Sequence, residues 1–134
     1  MMRFMLDTNT CVELIRKRDD RILRRMKRRS PDELCVSSIT LSELEYGAAK
    51  SADPGKNRLA LAEFMTPLSV MPYDDAVASV YGRVRAELER EGTPIGPLDT
   101  MIAAHAMALG LTVVTGNERE FRRVVGLKVQ NWAK

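Results

Sequence analysis

Cysteine and histidine are scarce in this chain of 134 residues: Cys11, Cys35 and His105 are all there is of either. Zinc sites draw mainly on such residues, and with no second histidine and no usable thiol pair the sequence argues against zinc chemistry. Two cysteines cannot make a disulfide framework. Cys11 falls in a helical pattern and Cys35 in a strand-like one, which suits buried reduced thiols and a cytoplasmic protein. Aromatic residues make up 5% of the chain against 45% hydrophobic residues, so the core must be aliphatic, with the eight methionines contributing. No apolar run approaches the ~18 residues that cross a bilayer. Met1-Met2-Arg3 runs straight into a strand-like segment, so no signal peptide is expected. There is no repeat, low-complexity tract or long linker, and the length suits one domain over residues 1–134.

What is present is an alternation of short aliphatic strands and amphipathic helices. Residues 3–7 read as a strand, 8–18 as a helix and 20–29 as a short basic helix that Ser30-Pro31-Asp32 ends. A second strand is expected at 34–37 and a helix at 38–49, where Gly47 is read as a site of close packing. Residues 52–55 read as a turn, 57–65 as helix and 68–71 as a third strand. A long helix at 74–90 carries an apolar stripe of Val77, Val80, Tyr81, Val84 and Leu88. A Gly- and Pro-containing loop at 92–97 leads to a helix at 98–109, with Gly110 as its stop. A fourth strand follows at 111–114, a short helix at 117–124 and an edge strand at 127–129. The expected architecture is a three-layer α/β/α sandwich around a central, mainly parallel sheet of four or five short strands.

Ligands bind outside the carboxyl ends of the strands in such sheets. The pattern puts four acids there. Asp7 ends the first strand, Glu43 lies early in the helix after the second, Asp99 opens the helix before the fourth, and Glu120 lies in the helix after it. Thr115 closes the fourth strand. Each has an ordinary alternative: Asp7 as a helix N-cap, Asp99 as a complement to a helix dipole, Glu43 and Glu120 as exposed helical charges. Their joint placement favours a shared role. Two carboxylates ~5 Å apart repel by roughly 3 kcal/mol at an effective dielectric of ~20. A cluster of them calls for protons or a hard cation, and Mg²⁺ or Mn²⁺ suits an all-oxygen set. His105 lies six residues past Asp99, about 240° round a helix, and is read as structural.

The net charge is only +3, from 21 Lys and Arg against 18 Asp and Glu. Nine of the basic residues fall between positions 16 and 29. They form either a solvated helical face or a surface for phosphates.

Five segments carry a resemblance: Phe4-Met5-Leu6-Asp7-Thr8-Asn9, the stretch 37–48 through Leu41-Ser42-Glu43-Leu44, Pro94-Ile95-Gly96-Pro97-Leu98-Asp99 with the residues to 103, Val113-Val114-Thr115-Gly116-Asn117 with the residues to 121, and Gly126-Leu127-Lys128-Val129-Gln130-Asn131-Trp132. In them the chain resembles the PIN-domain ribonucleases, and more closely the VapC-type toxins of bacterial toxin–antitoxin modules. The resemblance implies an Mg²⁺- or Mn²⁺-dependent endoribonuclease that inhibits translation, with Asp7 and Asp99 as principal metal ligands, Glu43 beside them and Glu120 assisting directly or through water. Thr8, Asn9, Thr115 and Asn117 match supporting polar positions, whereas Gly116 departs from the Asn or Asp of many relatives. The segment 94–99 is similar to that of toxins that cut initiator tRNA in its anticodon stem-loop. The resemblance further implies a homodimer, a VapB-like antitoxin that blocks the acidic pocket, and operator DNA bound only as the complex. Two other classes compete: a phospho-acceptor receiver domain and a catalytically silent RNA-binding module.

Overall fold

A computed structural model describes residues 1–134. Five strands form one sheet: β1 (Phe4–Leu6), β2 (Leu34–Ser37), β3 (Ser69–Met71), β4 (Thr112–Val114) and β5 (Lys128–Gln130). Their order is β3-β2-β1-β4-β5 and every pairing is parallel. Met5 lies opposite Cys35 on one side and Val113 on the other.

Strand side chains alternate between faces, and this divides the core in two. Phe4, Leu6, Leu34, Val36 and Val114 point to one face. There they meet Leu14 of α1 (Thr8–Arg16), Ile22 of α2 (Asp20–Lys27), Leu44 of α3 (Ser38–Ala49) and Leu61 of α4 (Pro54–Met65). Met5, Cys35 and Val113 point to the other face. They meet Val84 and Leu88 of α5 (Asp75–Arg90), Ile102, Ala103 and Ala106 of α6 (Pro97–Leu109), and Phe121 of α7 (Glu118–Phe121). The three layers expected from the sequence are present, and the sheet is wholly rather than mainly parallel. Both thiols are buried and unpaired. No helix is long and apolar enough to cross a membrane.

Helix ends account for most departures from the sequence reading. Residues 52–55 are a helix start rather than a turn: the Asp53 carboxylate accepts the Lys56 N–H at 3.2 Å, and Pro54 occupies the first helical position, where its missing N–H costs nothing. The first helix stops at Arg16 rather than 18, because Lys17 turns left-handed with φ 54° and its N–H closes back on the Leu14 carbonyl. The basic helix ends at Lys27, and the helix expected at 117–124 contracts to four residues. Gly47 is not a close-packing position, since a Cβ there would meet nothing within 4 Å.

The C-terminal segment is tied into the core. Trp132, 1% exposed, packs edge-on against Phe4 with centroids 5.2 Å apart. Arg25 lies over the indole and donates to the carbonyls of Asn131 and Lys134. Trp132→Ala should therefore cost about 3–5 kcal/mol of stability. Urea unfolding followed by circular dichroism checks this, and a loss below about 1 kcal/mol would contradict the packing.

Candidate active site

The chain crosses from one side of the sheet to the other between β1 and β4, which opens a crevice at their carboxyl ends. Asp7 follows β1 and Thr115 follows β4 at that point. The Asp7 N–H donates to the Val114 carbonyl at 3.0 Å and extends the sheet by one bond. Its carboxylate has two tasks. Oδ1 accepts the Thr10 N–H at 2.9 Å and so caps α1, while Oδ2 accepts the Thr115 hydroxyl at 2.6 Å across the crevice. The N-cap offered by the sequence as an ordinary role for Asp7 is present, and it occupies only one of the two carboxylate oxygens. Asp7 is 2% exposed. Burial pushes its pKa above the ordinary value, the Thr115 and Thr10 bonds pull against that, and Glu43 adds to the rise.

Threonines hold the remaining geometry. The Thr8 hydroxyl donates to Glu43 Oε1 at 2.6 Å, with the Thr40 hydroxyl 3.4 Å away. Helix α3 thereby leans its carboxylate toward the start of α1. Thr115 Oγ1 also accepts the Asn117 N–H at 2.9 Å, so Asn117 supports the site through its backbone rather than a side-chain cap. Thr10 went unnoticed in the sequence although it anchors Asp7 and donates to the Val114 carbonyl at 3.2 Å. Its place three residues after an Asp that opens a helix was the available signal.

Asp99 occupies the first turn of α6. A Cβ on Gly96 would lie 3.8 Å from Asp99 Oδ2, so the carboxylate hangs over that glycine. Thr8, Asn9, Glu43, Gly96, Leu98 and Asp99 share a cleft of about 290 Å³. Desolvation first, and then the charges of Asp7, Glu120 and Glu43, push the Asp99 carboxyl from 3.8 to about 6. Glu120 thus belongs electrostatically to the cluster although it does not line the cleft. None of the four acids has a cationic partner within salt-bridge distance. The side chains as placed do not close into a set of three metal ligands; Asp7 and Glu43 each accept a threonine hydroxyl instead. The donors are all oxygen and anionic, which fits a hard divalent cation and no softer metal.

The basic segment is partly spent on the fold. Arg18 pairs with Glu13, Arg21 with Asp19, Arg25 holds the C-terminal carbonyls, and Arg29 lies over Phe4. Arg16, Lys17, Arg24, Lys27 and Arg28 remain exposed without an acidic partner. Arg16 shares a groove of about 260 Å³ with Thr8 and Glu43.

This sheet order, with its acid-lined switch point, defines a class. The PIN-domain family model matches residues 4–127. Similar proteins include the tRNA(fMet)-specific endonuclease VapC of Salmonella typhimurium, 47% identical over 98% of this chain and 99% of that protein. The protein of the same name from Shigella flexneri is 44% identical over 99% of this chain and 100% of its own length. Among solved structures, DNA-bound VapBC from Salmonella typhimurium superposes with a TM-score of 0.94 at 47% identity, covering 98% of this chain and 99% of that one. VapBC2 from Rickettsia felis, bound to a promoter DNA fragment, gives 0.91 at 37% identity with the same coverage. The chain belongs to the PIN-domain family, among its VapC toxins. The receiver-domain alternative falls with that assignment.

The crowded acids give a stability prediction. Asp99 has a folded pKa above its unfolded value, so between about pH 4 and 6 the folded state binds more protons. Stability of the metal-free chain should fall as pH rises through that window. Asp99→Asn should raise the Tm in EDTA at pH 7.5 by roughly 4 °C, about 1 kcal/mol once solvent screening and the lost helix-dipole attraction are allowed for. The gain should vanish near pH 4. Scanning fluorimetry that finds no gain at either pH would contradict the electrostatic account.

Proposed function

We propose that this chain, acting as a single PIN-like domain over residues 1–134, is a metal-dependent endoribonuclease toxin that blocks translation in the cytoplasm. The observation that carries the reading is the placement of Asp7, Glu43 and Asp99 around one crevice with no protein cation to neutralise them. The proposed substrate is tRNA, and in particular the anticodon stem-loop of initiator tRNA. Two proteins at 44–47% identity that carry the name tRNA(fMet)-specific endonuclease support it. The proposed partners are a second copy of the chain and a VapB-like antitoxin, and operator DNA is bound only in that complex. The DNA-bound VapBC assemblies of similar proteins support the antitoxin and the operator.

Asp7, Asp99 and Glu43 would hold Mg²⁺, or Mn²⁺ in its place, with Glu120 assisting. The half-buried Glu43, Asp99 and Glu120 keep the torsional freedom to turn toward a cation. When bound, the ion supplies Lewis acidity for water activation and for the charge that develops on the phosphate. The protein supplies the rest. Thr10 and Thr115 fix Asp7, so one wall of the site is rigid before substrate arrives. Thr8 holds Glu43 in reserve by one short bond. Asn9 and Leu98 line the cleft mouth, where a polar amide and an apolar side chain can meet a nucleotide. Exposed Arg16 and Lys17, with Arg24, Lys27 and Arg28 farther along, offer charge to the RNA backbone.

A catalytically silent RNA-binding module is the second reading, because the carboxylates do not close into a three-ligand set. One assay separates the two. Asp7→Asn and Asp99→Asn should each slow Mg²⁺-dependent cleavage of tRNA by on the order of 10²–10³-fold, a loss of several kcal/mol of transition-state stabilisation. Parental rates in either variant, or parental cleavage in excess EDTA, would overturn the proposal.

A further inference from the structure

His105 is fully buried, yet the sheet-edge chemistry does not use it. Its Nδ1 lies 2.8 Å from Ser37 Oγ, the one well-formed hydrogen bond the ring makes; Nε2 has no partner of hydrogen-bond geometry, although the Pro72 backbone acts on the ring. An unpaired polar nitrogen in a dry core is a cost that an apolar side chain of the same size would avoid. Burial also drives the imidazole pKa below its ordinary value, against the opposing pull of Asp74 and the Pro72 carbonyl, so the ring is neutral at pH 7. What the histidine contributes in return is its bond to Ser37.

That bond joins two helices at a telling place. Ser37 is the N-cap of α3, where its Oγ accepts the Ile39 N–H at 3.1 Å. His105 belongs to α6. Glu43 lies six residues beyond Ser37, and Asp99 lies six residues before His105. At 1.5 Å per residue each acid is about 9 Å along its helix from the bond. The two acids share the cleft, and the Ser37–His105 bond ties α6 to the start of α3 between one and two turns away from them. The hydroxyl can donate or accept, so either neutral tautomer keeps the link. A second bond braces it: the Tyr73 N–H donates to Ser38 Oγ at 3.0 Å, and the Tyr73 ring stands edge-on to His105 with centroids 5.6 Å apart. The result is a ring of contacts among α6, the start of α3 and the β3–α5 connection.

We infer that His105 is a positioning residue whose bond to Ser37 fixes the α3–α6 register, and with it the separation of the Glu43 and Asp99 carboxylates that receive the cation. This rests on the metal-site reading above.

The test uses the full chain with Mn²⁺ alone, titrated by calorimetry, beside steady-state tRNA cleavage and thermal melting. His105→Phe keeps the ring volume and the contact with Tyr73 but deletes the nitrogen. It should weaken Mn²⁺ binding about tenfold and lower kcat by a similar factor, with KM unchanged and the Tm within about 3 °C of the parent. His105→Asn, which returns a hydrogen-bonding atom near Nδ1, should bring affinity and kcat back to within about threefold. Parental Mn²⁺ affinity in His105→Phe overturns the inference. So does an affinity loss in both variants that only tracks their loss of Tm. Should His105→Phe fail to fold, Ser37→Gly, which keeps a tolerated N-cap while removing the hydroxyl, carries the same two outcomes. If the parent itself binds no Mn²⁺, the metal-site reading fails first and this inference falls with it; if the parent binds and His105→Phe binds equally well, only this inference fails.

Discussion

The structure turns on a carboxylate buried between two strands. Asp7 is almost out of reach of water, and an ion in that position is costly unless its oxygens are satisfied. Oδ1 is satisfied by the first turn of α1 and Oδ2 by Thr115. These bonds connect β1, α1 and β4, the three elements that meet at the switch point. The same requirement explains why threonines recur around the site. A hydroxyl can donate to a carboxylate without neutralising it, so Thr8 holds Glu43 and Thr115 holds Asp7 with their charge left available, while Thr10 bonds Asp7 through its backbone N–H.

Charge crowding is the second consequence. Asp7, Glu43 and Glu120 all raise the Asp99 pKa, and no lysine or arginine answers them. The fold therefore carries an electrostatic debt at its working edge, as functional sites commonly do. Nine of the 21 basic residues lie between positions 16 and 29, where several serve the fold by pairing with Glu13 and Asp19 or by holding the C-terminal segment around Trp132. The exposed members of that segment, Arg16 among them, put positive charge beside the acidic crevice. That arrangement suits a cation in the crevice and a polyanion across it.

Much of this was legible in the sequence because strand ends and helix starts are written locally. Asp7 ends an apolar run, Asp99 opens a helix after two prolines, and both stand where the pattern puts them. Less visible were features that depend on partners distant in the chain. Nothing near Thr115 announces a bond to a residue 108 positions earlier, and nothing near His105 announces Ser37. The start of α4 was missed because Asp-Pro-Gly is turn chemistry until the Asp53 side chain is seen to cap a helix. The basic cluster looked uniform in sequence, whereas tertiary contacts divide it into anchoring and exposed members.

The central claim, that Asp7, Glu43 and Asp99 form a site for a divalent cation, can be tested on the carboxyl groups themselves. Carbon-detected NMR titration of the Asp side chains, with and without Mg²⁺, reads Asp99 directly. Without the ion its carboxyl should titrate at about 6. With Mg²⁺ at saturation it should move down toward the ordinary carboxylate range, because an adjacent cation favours the charged form. An Asp99 titration that is the same with and without Mg²⁺ would contradict the account.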